Sequence, residues 1–166
     1  MILLSGDCQS VGPEGHYLLG ECYAELFAEL GVKRVYTLGG YGVGRLVEKP
    51  RVLAGVSALE LKQEVIDAGA QINGVEPVGG IIGAAGLIIT FCAARGIEGA
   101  ALLGETSGYL VDPVSATAVL DVLEKLTGLS ADKTDLAKLA EEMQTELSSF
   151  TSSVQQNAAD DLRYIG

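Results

Sequence analysis

The sequence predicts an α/β domain: a mainly parallel sheet with helices on both faces, C-terminal helices and a flexible tail. Three observations carry that expectation. Short runs rich in Val, Leu and Ile alternate with longer segments whose apolar residues recur every three or four positions. Glycine or an Asp-Pro pair stands at many of the joints. The chain's 166 residues suit one domain with its own core. Strands alternating with helices imply a sheet covered on both sides.

The elements follow in order. Residues 1–5, Met-Ile-Leu-Leu-Ser, are an unbroken apolar run cut off by Gly6-Asp7, which suits a buried parallel strand. Over 14–30, Tyr17, Leu18, Cys22, Leu26, Phe27 and Leu30 fall at helical spacing, and Gly31 is the natural stop. Val32 to Leu38 reads as a strand, followed by a glycine loop from Gly39 to Gly44. Residues 51–57 read as the next strand, 58–68 as a helix ended by Gly69, and Ala70 to Asn73 as a short strand. Glu76-Pro77 breaks the chain.

The segment 80–95 reads as a buried helix, with Gly79, Gly83 and Gly86 on one face where another backbone approaches. The apolar stretch Val78 to Ala94 sits at the short edge of membrane-spanning length, but its glycines favour a core helix. Ala100 to Leu103 is another strand. Asp112-Pro113 is a strong helix start, an N-cap Asp before Pro at the first helical position. That helix is expected to bury Ala116, Val119, Leu120, Leu123 and Leu126 and to end at Gly128. A last helix begins near Asp132 with the stripe Leu136, Leu139, Ala140, Met143, Leu147 and Phe150. The α/β domain is therefore drawn over residues 1–150. A polar tail occupies 151–166 and turns apolar again at Leu162-Arg163-Tyr164-Ile165-Gly166.

Charge narrows the function. The net charge is −11 and the 11 basic residues are scattered, whereas nucleic acid and anionic membranes call for clustered cations. The expectation is neither nucleic acid nor membrane as a partner. Cys8, Cys22 and Cys92 are odd in number and widely spaced, with no CxxC, which points to a reducing, cytoplasmic setting.

Few residues suggest chemistry. The glycine loop lacks the helix that would bring an N-terminus to a phosphate, and no GK[ST] occurs, so a turn that shapes a surface is the better reading. His16 is the only histidine, and Cys8 and His16 flank one strand-to-helix loop; the plainer reading is a solvated helix-start histidine. One His and three dispersed Cys make no zinc site. Glu105, after the strand near Leu103, has the position of a general acid or base at a sheet edge. Its plainer role is a carboxylate that ties down a loop. No catalytic residue, metal or cofactor is assigned.

Four ordered motifs carry a resemblance. They are Ser5-Gly-Asp-Cys-Gln-Ser with Pro13-Glu-Gly15, Tyr36-Thr-Leu-Gly-Gly-Tyr-Gly-Val-Gly44, Gly79-Gly-Ile-Ile-Gly-Ala-Ala-Gly-Leu87, and Leu102-Leu-Gly-Glu-Thr-Ser-Gly-Tyr109 with Asp112-Pro113. Together they resemble the archaeal branch of the proteasome assembly chaperone 2 family, from residue 1 to about residue 147. The resemblance implies a phosphorylase- or hydrolase-like α/β fold without established enzymatic activity. It implies self-association as a homo-oligomer and contact with proteasome α subunits or a related chaperone. Members of the family usually carry a further N-terminal portion before the Ser5-Gly-Asp7 motif, and this chain begins just before it.

Proteasome activators often end in a hydrophobic residue, Tyr and one further residue. Here Tyr164 is third from the end, so the tail is similar in kind and out of register. Leu162, Tyr164, Ile165 and Gly166 are the expected partner contact, an aromatic and an aliphatic anchor beside a carboxylate. Gly40, Tyr41, Gly42 and Gly44, with the Leu136–Phe150 helix, are the expected assembly surfaces. The alternative is a nucleoside- or nucleotide-binding enzyme, since some members carry an ATP-grasp label, with a site at the sheet edge near Cys8, His16, Gly40 and Glu105. The sequence offers no nucleotide loop or metal-binding carboxylate pair in its support.

Overall fold

The computed structural model describes residues 1–6, 9–72, 74, 80–81 and 83–145. In chain order these give α1 (Pro13–Glu29), β1 (Arg34–Gly42), β2 (Val52–Val56), α2 (Glu60–Asp67), α3 (Ala84–Ala93), β3 (Glu98–Thr106) and α4 (Pro113–Thr127). A fifth helix, α5, is described over 134–145. Among the described residues no helix is long and apolar enough to cross a membrane. Residues 151–166 lie outside the described part.

The fold is mixed α/β. The strand order is β1-β3-β2, with β1 parallel to β3 and β2 antiparallel to it. The described sheet is thus mixed, where the sequence suggested mainly parallel strands. The connection explains the difference. A parallel neighbour needs a crossover of a dozen or more residues, and only the short link 43–51 joins β1 to β2. The chain instead turns back on the far side of β3.

β3 is the central strand, and Gly99 to Glu105 along it are buried. Its alternation assigns two faces. Ala100 and Leu102 meet Val65 of α2 and Val119 and Val122 of α4 in one core cluster. On the other face lie α1 and α3, where Ala24, Phe27, Cys92 and Ile97 form a second cluster. Burial lifts the Cys92 thiol above its ordinary value.

α4 begins as the sequence predicts. The Asp112 carboxylate accepts from the Ser115 N–H at 2.9 Å, Pro113 follows, and Gly128 closes the helix in a left-handed conformation. Its buried line is Pro113, Ser115, Val119 and Val122, whereas the expected Ala116 is exposed. The reason is Gly104 on β3. A Cβ there would stand 2.3 Å from Ser115 Oγ and 2.8 Å from a Val119 methyl, so the helix can lie on the strand only over glycine. Gly86 serves α3 in the same way: its Cβ would stand 2.7 Å from the Ile81 carbonyl.

Three further expectations change. Met1 to Ser5 is exposed and joins no ladder among the described residues. Gly39 to Gly42 are strand, not loop, each paired with a residue of β3. The segment near Ala70 contributes a single bridge, Gln71 to Leu53. The Leu136–Phe150 stripe is helical as far as residue 145, and 146–150 lie outside the described residues.

Candidate functional site

Parallel pairing sets the C-terminal ends of β1 and β3 side by side, with Gly40 opposite Gly104, Tyr41 opposite Glu105 and Gly42 opposite Thr106. The ladder runs on for one bond, from the Val43 N–H to the Thr106 carbonyl at 2.8 Å. Beyond it the two chains stay in touch. A Cβ on Gly42 would stand 3.6 Å from the Gly108 Cα, and one on Gly44, which has φ +71°, would stand 4.0 Å from the Tyr109 hydroxyl. Residues 42–44 and 108–109 therefore form one rim. Tyr109 and Val111 are 80% and 82% exposed, and Leu110 and Leu46 are exposed beside them. Exposed apolar side chains at a loop edge are surface that a partner can cover.

Beneath the rim lies Glu105, a carboxylate in a buried position. It accepts the Arg51 backbone N–H at 3.0 Å and a second hydrogen bond from the Arg51 guanidinium, while its own N–H donates to the Arg51 carbonyl at 2.9 Å. These bonds to the charged form, helped by the positive charge of Arg45, hold its carboxyl below the usual carboxylate range. Such a group is ionised at neutral pH. It anchors the link between β1 and β2 and has no proton ready to give. An open cleft of about 490 Å³ lies over this pair, lined by Arg45, Leu46, Val47, Glu48, Lys49, Arg51 and Glu105.

His16 stands elsewhere. In the first turn of α1 its Nδ1 lies 2.8 Å from the Gly12 carbonyl, which assigns the proton to that nitrogen. It lines a mainly apolar groove of about 670 Å³ with Val11, Pro13, Tyr17, Val56, Ile81 and Leu87. Gly40 and Glu105 thus lie on adjacent strands just below the rim, while His16 lines a different cleft. Cys8 and the tail residues Leu162, Tyr164, Ile165 and Gly166 lie outside the described residues. Among the described residues no group of three His, Cys, Asp or Glu side chains is placed to hold a metal.

Sequence reasoning passed over the link from Arg45 to Arg51. The signal was there: three cations fall within seven residues of a chain that is otherwise strongly acidic. It also assigned no role to Leu110 and Val111, which the structure leaves exposed.

Known proteins bear on this geometry. The model of the PAC2 family matches residues 1–151. An uncharacterized protein of Methanocaldococcus jannaschii is 37% identical over 175 aligned positions, covering 100% of this chain and 67% of its own length. The crystal structure of Pyrococcus furiosus PbaB, an archaeal proteasome activator, is 34% identical with a TM-score of 0.78, over 88% of this chain and 63% of that one. Pyrococcus furiosus PbaA, an archaeal homolog of proteasome-assembly chaperone, is 24% identical with a TM-score of 0.76, over 94% and 64%; at that identity the likeness speaks for the fold alone. The chain therefore spans less than two thirds of the length of these two solved structures.

Proposed function

The chain belongs to the PAC2 family, and from that premise we propose that it binds proteasome α subunits, or a related chaperone, as a cytoplasmic homo-oligomer. In this reading it is a binding scaffold. Its tail residues Leu162, Tyr164, Ile165 and Gly166 make the partner contact, and Gly40, Tyr41, Gly42 and Gly44 help to form the assembly surface. The phosphorylase-like sheet suggested by the resemblance belongs to the same proposal, with the parallel pairing of β1 and β3 in its support.

The observation that carries the reading is the exposed apolar rim at Tyr109, Leu110 and Val111 on a fold shared with a proteasome activator. Glu105 supports it too, because a carboxylate held ionised by Arg51 serves as an anchor. The separation of His16 from Glu105 weighs against a shared acid–base site for nucleotide chemistry.

The test is capture of isolated proteasome α subunits by the full chain and by a chain ending at residue 161. Loss of capture with an unchanged melting temperature is the expected result. Equal capture by both chains would remove the tail from the proposal, and no capture by either would remove the proposal itself.

A further inference from the structure

The link between β1 and β2 has a charge pattern that the rest of the chain lacks. With a net charge of −11, Arg45, Lys49 and Arg51 still line one cleft, against the carboxylates of Glu48 and Glu105. Glu105 is buried and directed at Arg51, so it offers little negative charge to solvent. Arg45 and Lys49 are exposed. The remaining negative charge of the molecule is screened beyond about 8 Å at physiological salt, so the local cations decide what enters. Next to them Leu46 lines the cleft, and the Tyr109 hydroxyl approaches Gly44, which brings the apolar rim to its edge.

We propose that this cleft is a docking site for an acidic peptide segment of a protein partner, whose carboxylates meet Arg45 and Lys49 while Arg51 stays with Glu105 and a neighbouring apolar side chain rests on Leu46 and Tyr109. Charge complementarity selects the occupant. A small anion would need buried donors that converge on it, and the outer cations here, Arg45 and Lys49, are exposed side chains in an open cleft. A nucleic acid would find too few cations to release many counterions. The inference uses only the cleft and the rim, and it stands whether or not the tail grips a proteasome.

The experiment is fluorescence anisotropy on the full chain with a labelled short peptide of Asp and Glu flanking one Leu. The control peptide has the same sequence with Asn and Gln. The acidic probe should bind and the control should not. R45Q/K49Q should weaken the acidic probe about fivefold, the product of two solvent-exposed charge contacts. K33Q/K62Q makes the same change in net charge at exposed positions outside the cleft and should leave binding within about twofold. Equal binding of the two peptides, or equal weakening by the two double variants, would overturn the proposal. So would full displacement of the probe by acetate or phosphate at matched ionic strength, or tighter binding of a single-stranded RNA.

Discussion

Gly104 and Tyr109 are five residues apart and live in opposite environments. At Gly104 the chain is pressed between β3 and α4, with no room for one methyl group. At Tyr109 an aromatic ring is left 80% exposed. Between them, Glu105 closes the packed region with an ion pair to Arg51, and beyond Tyr109 Asp112 restarts regular structure as the α4 cap. The fold spends its packing on the middle of β3 and leaves the chain just beyond the strand's C-terminal end in water. Binding residues on loops held by a rigid scaffold follow the same logic.

The largest expected effect lies at the boundary. Glu105→Gln keeps the size of the side chain and removes its charge, leaving Arg51 with a weaker partner. Breaking a fully buried pair costs about 3–5 kcal/mol. The Arg51 side chain is 39% exposed and regains water, so about 2–3 kcal/mol is the expected loss in chemical denaturation at pH 7. The pH dependence has a definite sign. Because the folded carboxyl titrates below its unfolded value, its stabilisation is complete above the unfolded value of about 4.3. It fades as pH falls toward the folded value. The gap between wild type and Glu105→Gln should therefore narrow on acidification below that point; a gap independent of pH would show that the ion pair is not its source.

The next effect tests the packed side. Gly104→Ala places a methyl group against the Ser115 hydroxyl, a Val119 methyl and, at 3.0 Å, the Ser115 carbonyl. The hydroxyl can rotate away but the helix backbone cannot, so α4 must shift. Overpacking costs about 1–3 kcal/mol, and the lower entropy of the unfolded chain returns about 0.4–1 kcal/mol. A net loss of about 1–2 kcal/mol is expected from the shift in denaturation midpoint. An unchanged midpoint would mean that α4 does not rest on the strand as closely as described.

Much of the fold was legible. The Asp112-Pro113 start and the Gly128 stop of α4 are local signals, complete within a few residues, and the structure keeps both. The strand assignments failed where partners decide the matter. Met1 to Ser5 has strand composition but finds no ladder among the described residues, and Gly39 to Gly42 has loop composition but is held in register by β3. The direction of β2 depended on a connection too short for a crossover, which composition does not express. At the candidate site, Glu105 was visible as a carboxylate at a strand end and its plainer role as a loop anchor agrees with the geometry. Its partner Arg51 lies 54 positions away and only the folded chain brings the two together.

The smallest effect on stability belongs to the rim and gives the comparison its sharpest form. Tyr109 and Leu110 contribute to neither core cluster, so Tyr109→Ser and Leu110→Ser remove apolar area that folding has left in water. Their stability changes should stay within about 0.5 kcal/mol. Combined, they should leave the melting temperature nearly unchanged and weaken capture of the partner in the pull-down used for the tail, because the contact area is lost only when a partner covers it. A large drop in melting temperature would mean that these side chains already pack against their own subunit. Undiminished capture in a stable double variant would mean that the rim is bare surface and that recognition lies elsewhere on the molecule.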